Sequence, residues 1–77
     1  MEIDYDAKER PYEQIASWLR ERIRSGDLPP GRKIPSETSI QQETGAARTT
    51  IRRAVKMLRD EGLVETVPGH GTFVAES

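Results

Sequence analysis

The chain contains no cysteine, so no disulfide staples it and no thiolate is available to a metal. Its one histidine is His70, and a lone imidazole without neighbouring ligands does not make a metal centre. No Gly-rich phosphate loop and no acid pair placed in an evident cleft accompany it, so the sequence holds no catalytic constellation. An enzyme is not expected, nor a cofactor or a bound metal. Aromatic residues are scarce as well: Tyr5, Tyr12, Trp18 and Phe73 are all there are, too few for the stacking platforms that read structured RNA. No stretch approaches the roughly 20 apolar residues that cross a bilayer. The opening MEIDYDAKER has neither the apolar run nor the basic start of a signal peptide. A cytoplasmic protein without a membrane partner is the expectation.

What remains is small and lean. With 77 residues the chain holds one domain at most, near the size at which a single core barely suffices. Hydrophobic residues make up 34% and charged residues 32%, poor for a large core but too periodic in arrangement for a disordered chain. The net charge of −1 argues against a uniformly basic nucleic-acid binder. The charges are segregated, however. Arg48, Arg52, Arg53, Lys56 and Arg59 are unrelieved by any acidic residue between them, whereas most carboxylates lie before residue 14, at Glu37 and Glu43, or from Asp60 onward. Placement, not the sum, decides what such a surface attracts.

Residues 1–10 show no periodicity and read as a flexible arm, leaving 11–77 as the domain. A helix is expected from Pro11, since proline is tolerated in a first turn. Tyr12, Ile15, Ala16, Leu19 and Ile23 form one apolar stripe, ended at Ser25-Gly26. Asp27-Leu28-Pro29-Pro30-Gly31 is a rigid turn, and Arg32-Lys33-Ile34-Pro35 is extended because residues before proline avoid the helical region. Ser36 is the expected N-cap of a short second helix, about Glu37 to Glu43, with Ile40 its single strong apolar residue. A tight turn, Thr44-Gly45-Ala46, leads to a third helix, about Arg48 to Glu61, closed by Gly62. Leu63–Val67 and Thr72–Ala75 are rich in β-branched residues and flank Pro68-Gly69-His70-Gly71, the pattern of a β-hairpin.

The fold class expected is mainly α with a small β-hairpin: a winged helix-turn-helix of three helices plus a wing. Its second turn-linked helix is the one such folds present to the DNA major groove. At about 100° per residue, Ile51, Val55 and Leu58 point together. Thr49, Arg52, Lys56 and Arg59 cluster a quarter to a third of a turn away, with Arg53 further round and Arg48 between the two faces. Arginine pairs bidentately with guanine, and threonine offers a hydroxyl and a methyl. On a random helix this would be an ordinary solvated cationic face; the turn before it and the hairpin after it favour contact with double-stranded DNA.

An ordered series of motifs carries a family resemblance over about residues 11–75. Pro11-Tyr12-Glu13-Gln14-Ile15-Ala16, Gly26-Asp27-Leu28-Pro29-Pro30-Gly31-Arg32-Lys33-Ile34-Pro35-Ser36-Glu37, Arg48-Thr49-Thr50-Ile51-Arg52-Arg53-Ala54, Leu58-Arg59-Asp60-Glu61-Gly62-Leu63-Val64 and Gly69-His70-Gly71-Thr72-Phe73-Val74 resemble the N-terminal DNA-binding domain of GntR-type bacterial transcription regulators. The resemblance implies a homodimer on a palindromic operator, with repression relieved by a small molecule bound to a separate C-terminal domain. It implies DNA contacts from Ser36, Glu37 and the Thr38 position, from Arg48, Thr49, Thr50, Arg52 and Arg53, and from Gly69 and His70 at the wing tip.

Three departures qualify this. Thr38 stands where the family usually has arginine, which weakens or removes one expected contact. Ala46-Ala47 replaces a usual valine-serine, so the third helix lacks a capping side chain. Thr44 replaces a larger apolar residue, leaving the second helix thinly anchored. Trp18 is expected to be partly buried, or else to join a dimer contact. The alternative function is a winged-helix module for protein–protein interaction, which would call for apolar anchors on the third helix where arginines stand. Because the chain stops at Ser77 without an effector domain, an excised DNA-binding domain is expected rather than a complete small protein.

Overall fold

The computed structural model describes residues 1–76 and contains three helices and one hairpin: α1 Pro11–Arg24, α2 Glu37–Thr44, α3 Arg48–Asp60, β1 Val64–Val67 and β2 Gly71–Val74. α1 opens with Pro11 in its first turn, and the Glu13 carboxylate accepts the Arg10 backbone N–H at 2.9 Å. Its stripe is buried as the spacing predicts: Ile15, Ala16 and Leu19 lie in the core, flanked by half-buried Tyr12 and Ile23. Residues 1–10 form no helix or strand but follow a defined course over α1. Gln14 accepts the Asp4 N–H at 2.9 Å and donates to the Asp4 and Glu9 carbonyls at 2.8 and 2.9 Å. Met1 and Ile3, half-buried, pack against the core.

α2 is one residue longer than expected. Ser36 caps it, its Oγ accepting the Ser39 N–H at 3.1 Å, and Gly45 ends it in the left-handed region at φ 72°. Thr44 belongs to the helix and is buried. Its hydroxyl donates to the Ile40 carbonyl at 2.8 Å and accepts the Ala46 N–H at 3.2 Å, so the polar group is satisfied where it is hidden from water. Ala46, read as part of a turn, is a core residue. α3 stops at Asp60, with Glu61 as C-cap, and buries Ile51, Ala54 and Leu58 against α1. No side chain caps its N-terminus at Ala47.

The hairpin is antiparallel, pairing Val64 with Val74 and Val67 with Gly71. The connection is therefore Pro68–His70, one residue tighter than the four expected, because Gly71 starts β2. The extended segment before Pro35 is not a free linker. Lys33 bridges Phe73, the Ile34 N–H donates to the Thr72 carbonyl at 2.9 Å, and the Val74 N–H donates to the Arg32 carbonyl at 2.7 Å. Residues 32–34 thus act as a short third strand on the open edge of β2, which ties the wing to the body. Phe73 lies half-buried on this sheet and outside the core cluster, not within the core as a reading of its hydrophobicity suggests.

α1 and the end of α3 are also joined by a bidentate pair: Arg20 Nε and Nη2 donate to the two Glu61 carboxylate oxygens at 2.8 and 2.6 Å. This hydrogen bonding holds the Glu61 carboxyl below its ordinary value and raises Arg20 further. A carboxylate whose pKa is lowered by folding contributes stability above its unfolded value, and that contribution vanishes as pH falls through its folded value. Glu61→Gln is expected to lower the unfolding free energy near neutral pH by up to about 1 kcal/mol. Urea unfolding curves of variant and wild type should converge as pH drops below about 4, the ordinary glutamate range. Ala47→Ser, which supplies the missing cap to α3, is expected to stabilise the domain by about 1 kcal/mol. In a thermal melt this is a rise in Tm of roughly 4–8 °C.

Candidate nucleic-acid interface

α3 can bury only one stripe, so its remaining surface carries the side chains that face outward. Around its first turns the structure brings together residues from both helices of the helix-turn-helix. The Glu37 carboxylate, at the N-terminus of α2, accepts Arg52 Nε at 2.9 Å and lies 3.9 Å from Arg48 Nη1. Arg48 Nη2 also donates to the Thr38 hydroxyl at 3.3 Å. The Arg52 side chain remains 62% exposed and that of Arg48 52% exposed. Glu37 therefore holds Arg52 by its inner nitrogen, leaving the outer guanidinium edge to solvent, and the hydrogen bond raises the Arg52 pKa. Ser36 is engaged in capping α2 through Ser39.

The other expected site residues do not join this network. Arg53 turns to the α1 side, where its guanidinium lies 4.1 Å from the centroid of the Tyr12 ring. Together with Arg10, Pro11, Thr49 and Thr50 this pair lines a shallow cleft of about 340 Å³. Thr49 is exposed and Thr50 half-buried. Gly69 and His70 stand exposed at the wing tip, Gly69 in the left-handed region at φ 78° and the His70 N–H closing the turn onto the Val67 carbonyl at 2.9 Å. Trp18 is half-buried on α1 with the Arg22 guanidinium 5.4 Å from its ring centroid.

On the wing side of α3 runs a groove of about 510 Å³. Its walls are residues 33–37, the Arg52, Val55 and Arg59 face of α3, and Thr66, Gly71 and Thr72 of the wing. Arg59 Nη1 donates to the Thr66 hydroxyl at 2.9 Å. On sequence grounds Arg32 and Lys33, just before α2, either add phosphate contacts or are simply solvated, and Arg59 is absent from the expected contact residues. Arg59 was legible as part of the outer cationic cluster, but its hydrogen bond to the wing depends on the hairpin's position and has no local signal. Lys56, on the same cluster by rotation, is paired with Asp60 at 2.8 Å. Among the described residues no His, Cys, Asp or Glu cluster suits a metal ion, and no helix is long and apolar enough to cross a membrane.

Comparison with known proteins places this surface in context. Residues 11–74 match the family described as Bacterial regulatory proteins, gntR family. The chain is 42% identical over 65 residues to the mannosyl-D-glycerate transport/metabolism system repressor MngR of Escherichia coli K12, covering 84% of this chain and 27% of that protein. It is 45% identical over 65 residues to the histidine utilization repressor of Klebsiella aerogenes, with the same coverage of 84% and 27%. The chain thus spans about a quarter of the length of these curated relatives. Its fold superposes on the crystal structure of the AraR DNA-binding domain in complex with operator ORE1 with a TM-score of 0.86 and 36% identity, over 95% of this chain and 89% of that one. The winged helix-turn-helix is the architecture these regulators share, and this chain belongs to the GntR family of bacterial regulatory proteins.

Proposed function

We propose that the chain binds double-stranded DNA in a sequence-dependent manner, as the DNA-binding domain of a transcription repressor. The N-terminal turns of α3 enter the major groove and the wing tip lies near the minor groove. The observation that carries this reading is the Glu37-held Arg52 beside Arg48: two guanidinium groups on the outer face of α3, one of them oriented through its Nε with its fork open to solvent. Such a fork is complementary to the O6 and N7 of guanine. Thr49 stands exposed on the first turn of α3, and Arg53 faces the α1 side with its guanidinium 4.1 Å from the Tyr12 ring centroid. Membership of the GntR family and the likeness to an operator-bound AraR domain support the same reading. The family pattern further supports a homodimer on a palindromic operator and a small-molecule effector acting through a separate domain. We read Glu37 as a positioning residue for Arg52, a reading supported by both of its oxygens facing arginines within the domain.

Titration of palindromic and mixed-sequence duplexes tests this. Arg52→Ala is expected to weaken binding to the preferred duplex roughly five- to a hundredfold, while changing mixed-sequence binding far less. An equal loss on all duplexes would reduce Arg52 to a phosphate contact. Glu37→Gln should behave differently. Removal of a negative charge from the surface should leave mixed-sequence affinity unchanged or higher, and loss of the Arg52 tether should narrow the gap between preferred and mixed duplexes. A Glu37→Gln variant that keeps the full gap would show that the carboxylate does not position Arg52.

A further inference from the structure

The groove on the wing side of α3 contains charges that the reading above leaves unused. Its charged lining is Lys33, Glu37, Arg52 and Arg59. Glu37 is committed to Arg52 and Arg48. Lys33 and Arg59 have no carboxylate partner among the described residues, although Arg20, Arg22 and Lys56 elsewhere on the domain are each paired. Both are nevertheless placed. Arg59 is held through Nη1 by the Thr66 hydroxyl, which itself lies 3.2 Å from that of its cross-strand partner Thr72. Its remaining N–H donors make no hydrogen bond among the described residues. Lys33 is pinned at its backbone by the bridge to Phe73. Its side chain passes over Gly71, where a Cβ would collide with Lys33 Cε and stand 3.1 Å from Nζ. Gly71 has φ 123°, a conformation that side chains other than glycine's rarely adopt, so the bare backbone leaves the space the lysine occupies.

Two cations without a carboxylate partner among the described residues, in the lining of one groove together with the hydroxyls of Ser36, Thr66 and Thr72, suit an anion with several acceptor oxygens. Resting on the DNA-binding reading, we propose that one sugar–phosphate strand of a duplex seated on the first turns of α3 and touched by the wing tip crosses this groove, and that Lys33 and Arg59 form a clamp for it, joining the wing and α3 to the same backbone. The clamp positions the domain without reading bases.

The test is the salt dependence of binding, by fluorescence anisotropy of a labelled mixed-sequence duplex, with the whole chain as wild type, Lys33→Gln, Arg59→Gln and the double variant. Each lost phosphate contact should flatten the slope of log K against log salt by about 0.9. The double variant should therefore lose about 1.8, with the same proportional loss of affinity on palindromic duplexes. The charge-conserving exchange Lys33→Arg with Arg59→Lys should keep the wild-type slope. Lys33 makes no side-chain hydrogen bond among the described residues, so Lys33→Gln alone gives a readout if Arg59→Gln disturbs the wing. Wild-type slopes in Lys33→Gln and in the double variant overturn the clamp while leaving α3 as the reading element. Absence of wild-type binding to any duplex at low salt overturns the DNA-binding reading itself, and the clamp with it.

Discussion

The contact of α1 with α3 is the constraint on which the rest of the molecule depends. Ile15, Ala16 and Leu19 on one side, and Ile51, Ala54 and Leu58 on the other, are all 0% exposed. Fully burying one large aliphatic side chain contributes about 1.5–3 kcal/mol, and a chain this short, without disulfides, has little else to draw on. α3 has one apolar stripe, and this contact uses it. Rotating the helix by a single residue position would carry Arg52 or Arg59 toward the core, where an unpaired charge is far more costly than any gain in packing. The need to bury Ile51, Ala54 and Leu58 therefore fixes the direction in which Arg48, Thr49 and Arg52 point. Stability and presentation of the outer face follow from one packing decision.

Glu37 is the second pivot, and it works in two directions. At the start of α2 it sits favourably near the positive end of the helix dipole, and it brings Arg52 and Arg48 of the next helix to the same carboxylate. Without it, two nearby guanidinium groups would repel and Arg52 would sample many rotamers. On the surface proposed to meet DNA, a carboxylate also repels phosphate. Its presence is consistent with a surface that gives up some attraction in exchange for orientation, the feature that separates recognition of a particular sequence from attraction to any duplex.

The elements were legible where local physics suffices. The i, i+3, i+4 stripes of α1 and α3, Ser36 and Gly45 around α2, and the β-branched runs of the hairpin each announce themselves within a few residues. The outward position of the α3 arginines was legible too, because an apolar stripe on one face defines the other. What escaped were pairings between distant segments. Arg20 and Glu61 are 41 residues apart, and nothing in either neighbourhood names the other. Residues 32–34 have the extended character that Pro35 imposes, yet their role as a third strand depends on the open edge of β2 lying beside them. Thr44 looked like a weak substitute for an apolar residue; it is buried, and its hydroxyl closes α2 and caps the turn, which a larger apolar side chain would not do. Arg53 illustrates the same limit from the functional side: rotation alone places it further round α3, but only the position of Tyr12 determines what it stacks on.

The net charge of −1 is a poor guide to this surface for a definite physical reason. At physiological ionic strength the field of an exposed charge decays over about 8 Å, so a polyanion meets the local lining and not the sum. The acidic complement lies mostly away from the groove: Glu2, Asp4, Asp6, Glu9 and Glu13 fall in the first 13 residues, and Glu61, Asp27 and Asp60 are paired with Arg20, Arg22 and Lys56. The carboxylates unpaired among the described residues enter the charge count while contributing little to the potential beyond their own neighbourhood. Inside the groove the balance is the reverse, with Lys33, Arg52 and Arg59 around the single carboxylate of Glu37. Carboxylates placed outside and cations in excess inside produce a cationic channel on a nominally acidic protein. A moderate overall charge, in turn, limits indiscriminate attraction to nucleic acid and leaves discrimination to the few side chains whose geometry is fixed.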